Sequence, residues 1–197
     1  MKKSKVLLVT PNLKGMADGV NRIQPSLGLM LIAQVLADNG HTVKIHDTAL
    51  EGWSNKKIID PTKKIISIGQ SDELIKQVIS DFSPDVVAIS VLFSNLLESA
   101  NNIANLVKQV NKNTTVILGG NHISGSLTDY KFSIADKNSN LPNYITELEN
   151  ENIDFAMTGE GEYSMLELIN TLSSKGDIGK IPGIVKKIGE KKYLINP

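Results

Sequence analysis

Short apolar runs alternate with longer amphipathic stretches along most of this chain. Lys5 to Thr10 reads KVLLVT, a β-branched run closed by Pro11, which predicts a strand and then a loop. The loop through Asn12, Gly15, Asp18, Gly19 and Asn21 is polar and glycine-rich. Pro25, Ser26 and Gly28 introduce a helix over about 27–38, with Leu29, Ile32, Ala33 and Leu36 at helical spacing and Asn39-Gly40 as its stop. Thr42 to His46 alternates like a second strand and ends at Asp47. Segment 51–70, with Trp53, several lysines and Pro61, reads as an exposed crossover insertion. Ser71-Asp72-Glu73 then start a helix of the pattern Leu74, Ile75, Val78, Ile79.

Ser83-Pro84-Asp85 turns into a third strand, Val86 to Ser90, followed by a helix over about 95–110. Thr115 to Leu118 is the fourth strand. Residues 121–140 are expected to be a loop and 141–149 a short helix. The fifth strand is expected over 154–158, and a helix over 162–174 turns Leu166, Leu168 and Ile169 inward. Residues 183–188 and 192–195 flank Gly189-Glu190 and predict a β-hairpin. Strand and helix thus alternate five times. That predicts an α/β fold: a parallel five-stranded sheet in the flavodoxin-type order 2-1-3-4-5, with helices on both faces, plus a C-terminal β-hairpin. Ligands of such sheets sit at the carboxyl ends of the strands where strand order reverses, so the loops after Thr10 and Ser90 are expected to line a site.

Composition narrows the function. Of 197 residues, 41 % are apolar, which suits one core, and no apolar run is long enough for a signal peptide or a spanning helix. We therefore expect no membrane association and a cytoplasmic protein. The 21 basic and 21 acidic residues cancel, which argues against a nucleic-acid partner. The chain has no cysteine, so it has no disulfide, thiolate ligand, iron–sulfur ligation or cysteine nucleophile of its own.

Three short motifs fall at predicted carboxyl ends. Ser90-Val91-Leu92 follows strand three, with Asn95 opening the next helix. The Ser90 hydroxyl can donate to a buried ligand, or cap a turn. Gly119-Gly120 ends strand four, before Asn121 and His122. It allows close backbone approach to a flat group, or an ordinary bend. Gly159-Glu160-Gly161-Glu162 follows strand five, where a glutamate would favour a helix start. The loop Thr10-Pro11-Asn12 lacks the glycine fingerprint of dinucleotide sites and the Gly-Lys-Ser/Thr of P-loops. It also lacks the acidic cluster of receiver domains and the hydroxyl-rich phosphate loop of FMN sites. His41 reads as structural, His46 as a surface residue, and His122 alone stands at the ligand edge. No metal-ligand spacing occurs, and no nucleophile, base and orienting residue cluster in sequence.

Taken together, the motifs resemble the N-terminal cobalamin-binding domain of B12-dependent radical SAM proteins, a group that includes anaerobic Mg-protoporphyrin monomethyl ester cyclases and many methyltransferases. Pro25-Ser26-Leu27-Gly28-Leu29 through Gly40-His41 and Val43 resembles the group's opening segment. Pro84 to Ser90 resembles its PDVVGIS, and Leu118 to His122 its LGGPH, with Asn121 in place of proline. Gly159 to Glu162 and Ile181-Pro182-Gly183-Ile184 resemble its GEGE and IPGI. Ser-x-Leu and Gly-Gly are also the second and third parts of the cobalamin signature, whose first part, Asp-x-His-x-x-Gly, supplies a histidine to cobalt and is missing here.

The resemblance implies a Rossmann-like domain over 1–180 that binds cobalamin base-off, without a histidine ligand. Residues 181–197 would be the hairpin and the start of a linker to a radical SAM domain absent from this chain. S-adenosylmethionine and a [4Fe-4S] cluster would belong to that absent half. The partners implied are cobalamin and the radical SAM domain, the parent being a cyclase or methyltransferase. The implied cofactor-binding residues are Thr10, Pro11, Asn12, Ser90, Leu92, Asn95, Gly119, Gly120, Asn121, His122, Gly159, Glu160 and Gly161, with no catalytic or metal-ligating residue in this chain. A side chain at Gly120 is expected to collide with the tail base and leave the fold intact. The alternative is a docking or structural α/β domain that has lost the cofactor.

Overall fold

The computed structural model describes residues 3–136 and 138–197. In chain order the strands and helices are β1 (Lys5–Thr10), β2 (Leu13–Met16), α1 (Leu27–Asp38), β3 (Thr42–Asp47), α2 (Thr48–Glu51), β4 (Lys56–Asp60), β5 (Ile65–Ile68) and α3 (Asp72–Phe82). They continue with β6 (Val86–Ser90), α4 (Leu97–Val110), β7 (Thr115–Gly119), α5 (Asn121–Ala135), β8 (Phe155–Met157), α6 (Gly161–Ser174), β9 (Ile184–Gly189) and β10 (Lys192–Ile195). The main sheet runs β10-β9-β8-β7-β6-β1-β3. Its five parallel strands, β3, β1, β6, β7 and β8, are the expected strands in the order 2-1-3-4-5. The hairpin β9–β10 does not stand apart. Ala156 and Met157 of β8 pair antiparallel with Val185 and Ile184 of β9, which covers an edge that would otherwise expose unpaired N–H and C=O groups.

Period-two alternation sorts the core into two layers. Val6 and Leu8 of β1 face α1 and α6, among Leu29, Leu36, Met165, Leu168 and Ile169. Leu7 and Val9 face the other way, among Ile75 and Ile79 of α3, Ile103 and Val107 of α4, and Ile123 of α5. Each such side chain, once buried, contributes about 1.5–3 kcal/mol.

Four expectations need correcting. The loop after Thr10 contains β2, and segment 51–70 contains β4 and β5; together they form a separate antiparallel sheet in the order β2-β5-β4. Lysines and Pro61 hid this, because β4 is exposed along nearly all its length and shows no alternation. Residues 121–135 form a helix rather than a loop. Its Ser, Thr, Asn and Gly125 are weak helix formers, and Ile123 and Leu127, one turn apart on the buried face, outweigh them. Within 141–149 only a short 3₁₀ turn forms, Thr146–Glu149. In α3, Leu74 points outward while Ile75 and Ile79 are buried.

Candidate functional site

A cleft opens at the carboxyl edge of the main sheet, between the first turns of α1 and α6 and the ends of β6, β7 and β8. α1 lies beside α6, so their N-terminal turns converge over the strand ends. The cleft encloses about 140 Å³, far more than a packing void that holds one water. Its lining is mostly apolar, from Leu29, Ile32, Met157 and Met165, with the polar groups of Ser90, Glu160 and Glu162.

Glycines keep this cleft open. A β-carbon built on Gly28 meets no atom within 4 Å, and the same holds at Gly159. At Gly119 the nearest atom is the carbonyl oxygen of Met157, at 3.7 Å. Added side chains at these positions would fill the cleft rather than strike protein, although at Gly159, with φ at +74°, the backbone would also be strained. Gly120 differs: its φ is +108°, and a β-carbon there would lie 2.7 Å from the carbonyl oxygen of Val91. Its glycine is required by the fold itself, so the expectation that a side chain at 120 spares the fold is wrong.

Of the residues singled out from sequence, Ser90, Gly119, Gly120, Gly159, Glu160 and Gly161 line the cleft. Leu92 lies exposed just beyond it, and Asn121 is exposed at the start of α5. Asn95 turns away, its amide 3.5 Å from the carbonyl of Lys14 in β2. Thr10 and Pro11 do not line the cleft, and Asn12 lines a separate polar groove between the small sheet and helices α3 and α4. The Asn12 amide donates to the carbonyl of Gln70. Sequence reasoning missed Gly28, Leu29, Ile32, Met157, Glu162 and Met165 as lining residues. Gly28 and Leu29 had a signal, since they lie in the matched opening segment. The methionines had none, being ordinary core positions along β8 and α6.

Three histidines occur in the chain, and each is held by protein groups. His41 is buried at the amino edge of β3, where its Nδ1 accepts the N–H of Ser4. Burial, reinforced by Lys3, holds its imidazole below the ordinary histidine range. His46 is buried rather than on the surface, its Nε2 2.7 Å from Oε1 of Gln70. His122 does not line the cleft. Its Nδ1 lies 3.1 Å from Oγ of Ser94, and its Nε2 lies 2.8 Å from Oε1 of Glu147, although that oxygen sits off the line of a good hydrogen bond.

Glu147 is itself 2 % exposed, and its other oxygen accepts the hydroxyl of Ser126 at 2.6 Å. So a hydroxyl, an imidazole and a carboxylate do cluster, from three separate elements, where the sequence showed no such grouping. Backbone bonds lace the same walls. The Val91 N–H donates to the Gly119 carbonyl at 2.7 Å, and the His122 N–H donates to the Val91 carbonyl at 3.1 Å. Among the described residues no three His, Asp or Glu side chains converge as a metal cage, and no helix is long and apolar enough to cross a membrane.

Residues 13–136 match the model of the B12 binding domain. Among curated proteins, the chain is 29 % identical over 195 residues to cytidylyl-2-hydroxyethylphosphonate methyltransferase of Streptomyces wedmorensis, covering 98 % of this chain and 33 % of that protein. It is 28 % identical to an uncharacterized methyltransferase of Pyrococcus horikoshii, again covering 33 % of the relative. The chain therefore spans about a third of the length of these relatives. Among solved structures, the radical S-adenosylmethionine methyltransferase TsrM of Kitasatospora setae, with cobalamin and a [4Fe-4S] cluster bound, superposes with a TM-score of 0.61 at 18 % identity, over 99 % of this chain and 29 % of that one. The cobalamin-dependent S-adenosylmethionine radical enzyme OxsB, with aqua-cobalamin and S-adenosylmethionine bound, gives 0.66 at 16 % identity, over 99 % of this chain and 22 % of that one. At these identities the likeness shows the shared fold.

Proposed function

The chain belongs to the B12-binding domain family, and from that premise we propose that it holds cobalamin base-off, with the nucleotide tail's base in the α1–α6 cleft and no histidine on cobalt. The observation that carries this reading is the open cradle formed by Gly28, Gly119 and Gly159 around Ser90. A β-carbon would enter empty space at Gly28 and Gly159 and only ordinary van der Waals contact at Gly119, which leaves room for a flat group against backbone. Leu29, Ile32, Met157 and Met165 offer it apolar contact, and Ser90 offers one hydroxyl.

How the imidazoles are spent supports the histidine-free mode. His41 is at the opposite edge of the sheet, His46 faces Gln70, and His122 is held between Ser94 and Glu147. The loop after β1 carries Thr10, Pro11 and Asn12 and no histidine. When bound, the corrinoid supplies the methyl-transfer or radical chemistry, while this chain positions and shields it. The relatives are about three times longer. We read the chain as the cofactor module of a B12-dependent radical SAM enzyme, a methyltransferase ahead of a cyclase. A radical SAM part would hold S-adenosylmethionine and the [4Fe-4S] cluster, for which this chain has no cysteine.

Purified protein mixed with hydroxocobalamin should stay coloured on desalting and show a base-off absorption spectrum. A colourless protein with no heat of binding, or a base-on spectrum in the bound state, would count against the reading.

A further inference from the structure

Glu147 is a buried carboxylate that the cofactor reading does not use, and among the described residues no lysine or arginine pairs with it. Among the described residues its ion-pair contact is His122, with Nε2 2.8 Å from Oε1. Its other oxygen accepts the Ser126 hydroxyl at 2.6 Å. A carboxyl group this deep is costly unless its oxygens meet polar partners, and here Ser126 and His122 face them. The imidazole's other nitrogen reaches Ser94, which is exposed on the loop between β6 and α4. The chain of contacts thus runs from a buried acid to the surface loop through one ring.

We infer that Glu147 acts through His122 as a positioning residue of the cleft, clamping the Ser90–Ser94 wall to the Gly119–His122 wall. Ser90 stands on the first wall, and Gly119 and Gly120 on the second. The two backbone bonds between Val91, Gly119 and His122 fix the base of these walls. Ser94 and His122 fix the first wall further out, and Glu147 fixes the ring that makes that contact. Neither Ser94 nor Glu147 lines the cleft, so an effect of either on a ligand there has to pass through the walls. This inference rests on the reading that the cleft takes the cofactor.

The test uses Ser94→Ala and Glu147→Gln, each made in the natural chain and in a His122→Ala background. One arm is amide hydrogen exchange at Val91 and His122 in cofactor-free protein. A second is the ¹⁵N resonances of the His122 ring, which a passive structural role for Glu147 would not move. A third is titration with hydroxocobalamin. In the natural background we expect each substitution to shift the ring resonances, speed exchange on the order of tenfold and weaken affinity by a similar factor. In the His122→Ala background neither substitution should add anything.

Undiminished effects without His122, or unchanged exchange and ring resonances with it, would overturn the clamp. So would labelling of Ser94 by a fluorophosphonate, which would mark it as an activated nucleophile instead. Should Glu147→Gln not fold, Glu147→Asp, which keeps the carboxyl but shortens its reach to His122, takes its place in the cycle. If even the unsubstituted protein ignores hydroxocobalamin, the cofactor reading fails, while exchange and the ring resonances still decide the clamp.

Discussion

The carbonyl oxygen of Val91 occupies the space that a β-carbon on Gly120 would need, 2.7 Å from its ideal position. Val91 is held there by its own N–H bond to Gly119, and its carbonyl accepts from His122. Neither side can yield without opening the walls of the cleft. With φ at +108°, any side chain at 120 is also strained. We expect Gly120→Ala to cost about 1–3 kcal/mol of stability. In a domain of this size that lowers the melting temperature by about 2–4 °C per kcal/mol, readable by calorimetry. An unchanged melting temperature would mean that Val91 moves aside freely.

Gly28 is the better probe of the cleft. It lies in the first turn of α1, at ordinary helical φ, and a β-carbon there meets nothing within 4 Å. Replacing a helical glycine with leucine relieves about 0.5–1 kcal/mol of backbone entropy cost. Gly28→Leu should therefore keep or slightly raise the melting temperature while its side chain fills the cleft. Hydroxocobalamin affinity should fall at least about tenfold, or ~1.4 kcal/mol. Full affinity in a stable Gly28→Leu protein would place the tail elsewhere.

The contrast between these glycines shows where sequence reading stops. Parallel strands are legible in continuous apolar runs such as Val6–Val9 and Val86–Ile89, which are buried on both faces, and their order was expected from the fold class. Gly119-Gly120 was visible as a motif and both glycines line the cleft, but only Gly120 is also crowded by Val91, a difference that the three-dimensional contact reveals. Glu147 gave no signal because its partners, His122 and Ser126, lie on a helix whose polar composition reads as loop. The small sheet escaped for a related reason: Leu13 of β2 meets Ile68 of β5 only after the chain has crossed the main fold.

Acid should weaken the domain through His41. Burial and the nearby Lys3 lower its folded-state pKa below the unfolded value, which is about 6.5. Between those two values the unfolded chain binds more protons, so stability rises with pH across that window. The contribution is fully present above about pH 6.5 and is lost as pH falls through and below it. Protonating Nδ1 would also remove the acceptor for the Ser4 N–H. Urea unfolding at pH 7.5 and 5.0 should show the loss, and His41→Asn should flatten that part of the profile. An equal slope in the variant would assign the pH dependence to other groups.

The hairpin is fastened near the clamp by Tyr193, and its hydroxyl is the place to cut. The oxygen accepts the N–H of Ile145 at 3.0 Å and donates to Oε1 of Glu149, also at 3.0 Å. Burial, with Glu149 alongside, raises its pKa, so the phenol keeps its proton at neutral pH. The bond from Lys187 is the main reason that the Glu149 carboxyl sits below its ordinary range. Glu149 ends the same short turn that carries Glu147 inward, so one 3₁₀ turn joins β9 and β10 to the His122 side of the cleft. Tyr193→Phe keeps the ring and its edge-on contact with Tyr130 but leaves the Ile145 N–H without its partner. That should cost about 1–3 kcal/mol. It should also speed amide exchange at Ile145 and Leu148 more than at Leu36, which lies in the opposite core layer. Uniform acceleration across both layers would show that the turn is merely part of the global fold and not a local tether.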